Sequence, residues 1–138
     1  MTKKLANTAF FYAIFSMIGG VFYREFTKLN GFTGVTRLSF VHLHLMVLGM
    51  FFFLLVLLLE KPYSLSKHKS FGKFYMLYNV GLCGQVAMLV VRGIPEALSA
   101  PLTGAASAAV SGIAGITHML LGGAIIWFFS ILKKSLVA

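Results

Sequence analysis

The sequence predicts an all-α membrane protein with four transmembrane helices, and three observations lead to this fold class. First, 59% of its 138 residues are hydrophobic, and the 14 glycines bring the apolar share to about 69%, against roughly 45–50% in soluble domains. Second, only 12 basic and three acidic residues are available to solvate the chain. Third, apolar windows of about 20 residues, the length a helix needs to cross a bilayer core of about 30 Å, recur four times.

These four windows define the predicted spans of a single transmembrane domain that covers residues 1–138. Uncharged stretches this long are typical of helices, because the strands of a membrane barrel are shorter and alternate in polarity. The predicted spans run over about 6–26, 38–59, 71–91 and 112–132.

The first window also resembles the apolar core of a signal peptide, because Lys3 and Lys4 precede it. A signal peptide would end at a cleavage site made of small residues, and no such site precedes Tyr23-Arg24-Glu25. We therefore expect this window to remain in the protein as a helix.

Residues 93–111 are rich in Ala, Ser, Gly and Pro, and they predict an outer loop between the third and fourth spans. Pro95 and Pro101 are expected to stop the third helix from continuing through this stretch. Small residues spaced three or four apart, from Gly104 through Ala108, Gly112 and Gly115, favour an earlier start and close packing of the fourth helix.

Basic residues are divided unevenly between the two sides of the predicted bundle. The side that holds both termini and the second loop carries eight lysines, whereas the opposite side carries four basic residues. Because cytoplasmic loops are enriched in Lys and Arg, we expect both termini in the cytoplasm. The lysines flank apolar stretches, so the expected partner is the lipid bilayer and not nucleic acid.

Three histidines, His42, His44 and His118, lie inside predicted spans, where ionisable side chains are costly and indicate function. His44 lies seven residues beyond Arg37, or about 10 Å into the membrane, and His118 lies about 9 Å beyond Gly112. Histidines at one depth fit the axial ligands of a heme, although a single buried histidine more often bonds to protein.

All three arginines fall on the predicted outer side, where guanidinium groups bind carboxylates well. Seven residues make nearly two helical turns, so Arg37 is predicted on the face of His44. An upright heme would then place its iron at His44 and its propionates at Arg37, with Arg24 or Arg92 as further partners. The alternative is that these arginines only extend from helix ends towards water.

His42 and His44 point about 200° apart on a helix, so the two rings are expected to serve different pockets. Either one ring is a ligand and the other packs against protein, or the helix lies between two cofactor sites. The second arrangement becomes natural when identical subunits close into a ring.

The stretch Val41-His42-Leu43-His44-Leu45-Met46-Val47-Leu48-Gly49 resembles the His-x-His heme helix of the catalytic subunit of heme-copper oxidases and nitric oxide reductases. The whole chain resembles a family of short, four-span bacterial membrane proteins without an assigned function. The resemblance implies a bacterial cytoplasmic membrane. It also implies a homotrimer, since the oxidase subunit is similar to three fused four-helix arcs. His42 and His44 would then be axial ligands facing two pores, while His118 has no counterpart.

The sequence departs from the oxidase pattern in ways that exclude some of the reactions of that family. It has no His-His pair for a copper site, and its three acidic residues, Glu25, Glu60 and Glu96, all sit at the ends of spans, so copper-dependent oxidation and proton pumping are not expected. Cys83 is the single cysteine, so no Cys-x-x-Cys-His motif exists and any heme b is bound non-covalently.

The expected function is therefore that of a membrane-embedded b-type heme protein. Two imidazoles per iron favour electron transfer, for which quinone is the expected partner. Asn79 and Gln85 are then either quinone contacts or residues that pack between helices. One imidazole favours binding of oxygen or nitric oxide, as a sensor or as a heme-dependent oxidoreductase without copper. The alternatives are a small oligomeric channel or transporter with pore-lining histidines, and a structural subunit without cofactor.

Overall fold

Four long helices make up the computed structural model, which describes residues 1–136 and contains no strand within them. We name them α1 (Thr2–Leu29), α2 (Ser39–Tyr63), α3 (Phe71–Ala97) and α4 (Gly104–Leu136). All four are long and apolar enough to cross a membrane, with mean hydropathies of 1.6, 2.5, 1.6 and 1.8 in their most apolar windows. The predicted all-helical class is confirmed for these residues, with four helices long and apolar enough to cross a membrane.

The loop predicted over 93–111 is shorter than expected and covers only residues 98–103, because α3 continues to Ala97 and α4 already begins at Gly104. Pro95 lies inside the last turn of α3 and does not end it. The small residues after 103 are helical, and Arg92 of α3 donates to the carbonyl oxygen of Ser107 in this stretch. The expected early start of the fourth helix at Gly104 is confirmed.

The two ends of the bundle differ in packing. We call the end with the start of α1, the α2–α3 loop and the end of α4 the proximal end, and the opposite one the distal end. The aromatic core lies in the proximal half, where Phe52 stacks on Tyr78 with ring centroids 4.2 Å apart and also contacts Phe128. In α4 the buried residues begin only at Leu121, so its distal half is sparsely packed.

Polar side chains inside the spans bond to neighbouring helices. The Tyr12 hydroxyl of α1 donates to Asn79 Oδ1 of α3 at 2.7 Å, and the Thr117 hydroxyl of α4 donates to Gln85 Oε1 at 3.0 Å. Both amide oxygens therefore accept hydrogen bonds across helix interfaces, which is the packing role that the sequence allowed for them.

Candidate functional site

His44 lies in the α-helical start of α2 and hydrogen-bonds within its own helix. Its Nδ1 is 2.9 Å from the backbone carbonyl oxygen of Phe40, four residues earlier. A carbonyl oxygen can only accept, so Nδ1 carries the proton and Nε2 of the neutral ring keeps its lone pair. Metal-binding histidines are commonly oriented by such a bond from the other ring nitrogen to a carbonyl. The half-buried ring therefore has the tautomer that a metal ligand requires.

His42 has the same tautomer, but it is fixed by the neighbouring helix. Its Nδ1 is 2.8 Å from the carbonyl oxygen of Ser16 in α1, and the Ser16 hydroxyl, 3.0 Å away, donates to the backbone oxygen of His42 at 2.9 Å. Gly20 leaves room for the ring, since a Cβ there would lie 3.1 Å from Nδ1. The imidazole is thus held between helices with its Nε2 lone pair unused by this contact.

The two rings of the His-x-His pair contact different surroundings, one α1 and the other the backbone of α2. No group of three or more His, Cys, Asp or Glu that could hold a metal ion forms in the part of the chain that the structure describes. A metal site built wholly from protein ligands is therefore not present there. A porphyrin supplies four nitrogens itself and asks the protein for only one or two axial ligands, so these histidines fit that group chemically.

His118 lies on the sparsely packed distal half of α4, where its side chain is exposed. Gly115 and Gly122, about one turn to either side of it, border open space, because a Cβ at either position would meet nothing within 4 Å. The surface around this imidazole is flat and accessible. The structure does not bring His118 into one cluster with His42 and His44 within residues 1–136.

Arg37 lies in the turn before α2, which begins at Ser39, so helical spacing does not place it on the face of His44 as predicted. Its guanidinium pairs with Glu96 near the end of α3, and its backbone N–H donates to Glu96 Oε2 at 2.8 Å. Glu96 is mostly buried, with 12% of its side chain exposed. This carboxylate was missed in the sequence because nothing there indicates that residues 59 positions apart meet.

The other two arginines have contrasting partners. Arg92 donates to the Ser111 hydroxyl at 2.6 Å and to the carbonyl oxygen of Ser107 at 3.1 Å, and so joins α3 to α4. Arg24 has 80% of its side chain exposed and lies 3.8 Å from its neighbour Glu25. Of the three predicted propionate partners, Arg24 is thus the most available and Arg37 is the most occupied.

We expect Glu96→Gln to lower the free energy of unfolding by about 1–2 kcal/mol, because it weakens two hydrogen bonds to a largely buried carboxylate. Glu25→Gln is the matched control and should change stability by no more than about 0.5 kcal/mol, since its ion pair with Arg24 is exposed. Thermal unfolding of both variants in the same detergent measures the difference. Equal effects would contradict the proposed role of the Arg37–Glu96 pair.

A π-helical segment, Leu45–Phe51, directly follows His44 in α2. Its widened turns are stabilised from α3, where the Tyr78 hydroxyl donates to the carbonyl oxygen of Leu48 at 2.7 Å. Segments of this kind often occur at functional sites. Hydrophobic periodicity did not reveal it, because the whole stretch is apolar and carries no period.

These features define a four-helix membrane protein with two oriented imidazoles early in its second span and a third, exposed imidazole in its fourth. The chain belongs to the family described as "Protein of unknown function (DUF2871)", whose model matches residues 2–135. No curated protein and no solved structure matches the chain. None of these comparisons shows a similarity to heme-copper oxidases.

Proposed function

We propose that this protein binds heme b non-covalently within the membrane, with His44 and His42 as its first axial ligands and His118 as a further one. The observation that carries the proposal is that both rings of the His-x-His pair hold Nδ1–H against a backbone carbonyl, at 2.9 Å and 2.8 Å. Each ring is thereby oriented, and in its neutral form it keeps an Nε2 lone pair that is a good ligand for iron.

The roles of the protein follow from these contacts. α1 fixes His42 through Ser16, the Phe40 carbonyl fixes His44, and the apolar spans exclude water from both rings. A bound heme would supply one-electron iron chemistry at this place. Ligation by two imidazoles fits electron transfer, and a membrane quinone is the partner we expect for it.

A homotrimer is the assembly we propose, on the basis of the resemblance of α2 to the oxidase heme helix. The distal half of α4 supports association, because it exposes Gly112 and Gly115 and buries none of its side chains within residues 104–120. Small exposed residues allow helices of neighbouring subunits to approach closely in a bilayer.

The absorption spectrum of the detergent-purified protein tests the proposal most directly. We expect a Soret band that shifts on reduction, from protein expressed with sufficient iron and heme precursor. A spectrum without visible bands, also after heme is added to the purified protein, would overturn the proposal. It would leave a channel or transporter with pore-lining histidines as the better function.

The location we propose is a bacterial cytoplasmic membrane, with the proximal end in the cytoplasm, because the proximal end carries eight lysines. A fluorescent protein fused to the carboxyl terminus should therefore be bright, and alkaline phosphatase at the same place inactive. Phosphatase inserted into the distal loop at residues 98–103 is the matched control and should be active. The reverse pattern would place the termini outside.

A further inference from the structure

A polar cavity of about 480 Å³ lies at the proximal end of the bundle, between the α2–α3 loop and the end of α4. It is separate from the histidines of the spans and from the sites considered above. Six polar side chains line it: Tyr63, Ser64, Lys67, His68, Lys134 and Ser135. Two separate parts of the chain thus bring lysines to one cavity.

The loop that forms one wall of this cavity is held in place by Glu60. The carboxylate of Glu60, only 9% exposed, accepts hydrogen bonds from both the backbone N–H and the hydroxyl of Ser66. Ser64 takes a left-handed conformation, with φ of 47°, and its N–H donates to the carbonyl oxygen of Glu60 at 2.9 Å. The short helical turn Leu65–Lys67 follows directly. The wall is therefore ordered before any ligand arrives.

The cavity presents hydrogen-bond donors and positive charge. No carboxylate lines it among the residues that the structure describes, and the Glu60 carboxylate is occupied by its two hydrogen bonds to Ser66. The Nδ1 of His68 accepts from the N–H of Ser70 at 3.2 Å, so its proton is on Nε2 and the ring is a donor. Two ammonium groups, an imidazole N–H and a phenol suit an anion with several acceptor oxygens.

We propose that this cavity binds the phosphate of an anionic phospholipid headgroup. Tyr63 ends α2 and Lys134 lies in the last turn of α4, so both are at the level where a spanning helix leaves the hydrocarbon. Phosphate is the acceptor that lipids present at this depth. Basic groups next to a membrane surface favour its anionic lipids. The proposal is independent of heme binding.

The test compares two double variants of the full chain, each of which removes two positive charges from the proximal end. Lys67→Gln/Lys134→Gln alters the cavity, whereas Lys3→Gln/Lys4→Gln alters lysines that do not line it. Native mass spectrometry in detergent measures binding of phosphatidylglycerol and of phosphatidylcholine with matched acyl chains. We expect wild type to prefer phosphatidylglycerol, the cavity variant to bind it roughly 30-fold more weakly, and the control to stay within about threefold of wild type.

Two further measurements separate loss of positive charge in the cavity from loss of folding. Lys134→Arg preserves the charge and should retain binding, and thermal unfolding shows whether each variant is folded. Equal weakening in both double variants would overturn the proposal, because it would indicate diffuse attraction to the whole basic end. If glycerol phosphate displaces the lipid at equal concentration, the ligand is not specifically a lipid. This result would overturn the proposal and assign the cavity to soluble phosphate esters.

Discussion

Replacing His44 by Ala is expected to reduce the heme bound per chain at least about tenfold, because the variant removes the iron-binding nitrogen itself. Loss of a partner that merely orients a ligand already costs about 10- to 100-fold in metal affinity. Heme per chain, measured by the pyridine hemochrome assay on purified protein, gives the result. His42→Ala should show a comparable loss, and His118→Ala tells whether the exposed imidazole contributes.

His68→Ala is the matched control for these variants, because this histidine lies in the α2–α3 loop and outside the spans. It should retain the full heme content. Retention of full heme in both His42→Ala and His44→Ala would contradict the assignment of the ligands. Loss in His118→Ala alone would move the site to the open surface of α4.

Replacing Gly93 by Ala is expected to lower the free energy of unfolding by about 3 kcal/mol, at the upper end of typical overpacking costs. A Cβ at Gly93 would lie 2.5 Å from the backbone nitrogen of Leu38, and backbone atoms cannot turn aside as a flexible side chain can. At the same contact, the Thr36 hydroxyl donates a hydrogen bond to the carbonyl oxygen of Gly93, at 2.6 Å. Thermal or denaturant unfolding in detergent measures the loss.

Gly72→Ala is the control for this prediction, because Gly72 also lies in α3 and a Cβ there meets nothing within 4 Å. It should leave stability unchanged or raise it by up to about 1 kcal/mol, since Ala favours a helix over Gly. Because Gly93 positions the turn before α2, Gly93→Ala should also disturb the heme spectrum. A variant with wild-type stability would contradict the close contact between α3 and the start of α2.

The spans could be predicted from the sequence because their signal is a simple sum of apolar residues over a fixed length. The position of a glycine, such as Gly81, also indicates where two helices can pack closely. A glycine there allows close helix approach, and a Cβ would indeed lie 2.9 Å from the backbone nitrogen of Leu121. The ends of the helices were less predictable. Pro95 predicts the end of the third helix, but α3 runs two residues past it and ends at Ala97.

The candidate site was predictable in its residue types and not in its contacts. The cost of placing imidazoles in lipid singled out His42 and His44 without any structure. The bond of His42 to Ser16 depends on how α1 packs against α2, and the pairing of Arg37 with Glu96 depends on the meeting of the turn before α2 with the end of α3. Both contacts join residues distant in sequence, and a single sequence contains no signal for them.

The π-helical stretch in α2 has a consequence for any comparison of this span with regular helices. Its wider winding rotates the part of α2 before Leu45 relative to the part after Phe51. Residues seven positions apart across this segment therefore no longer lie on one face of the helix. Deleting one residue there would restore ordinary winding. It would also turn His42 away from Ser16 of α1, while the aromatic cluster around Phe52 would stay in place.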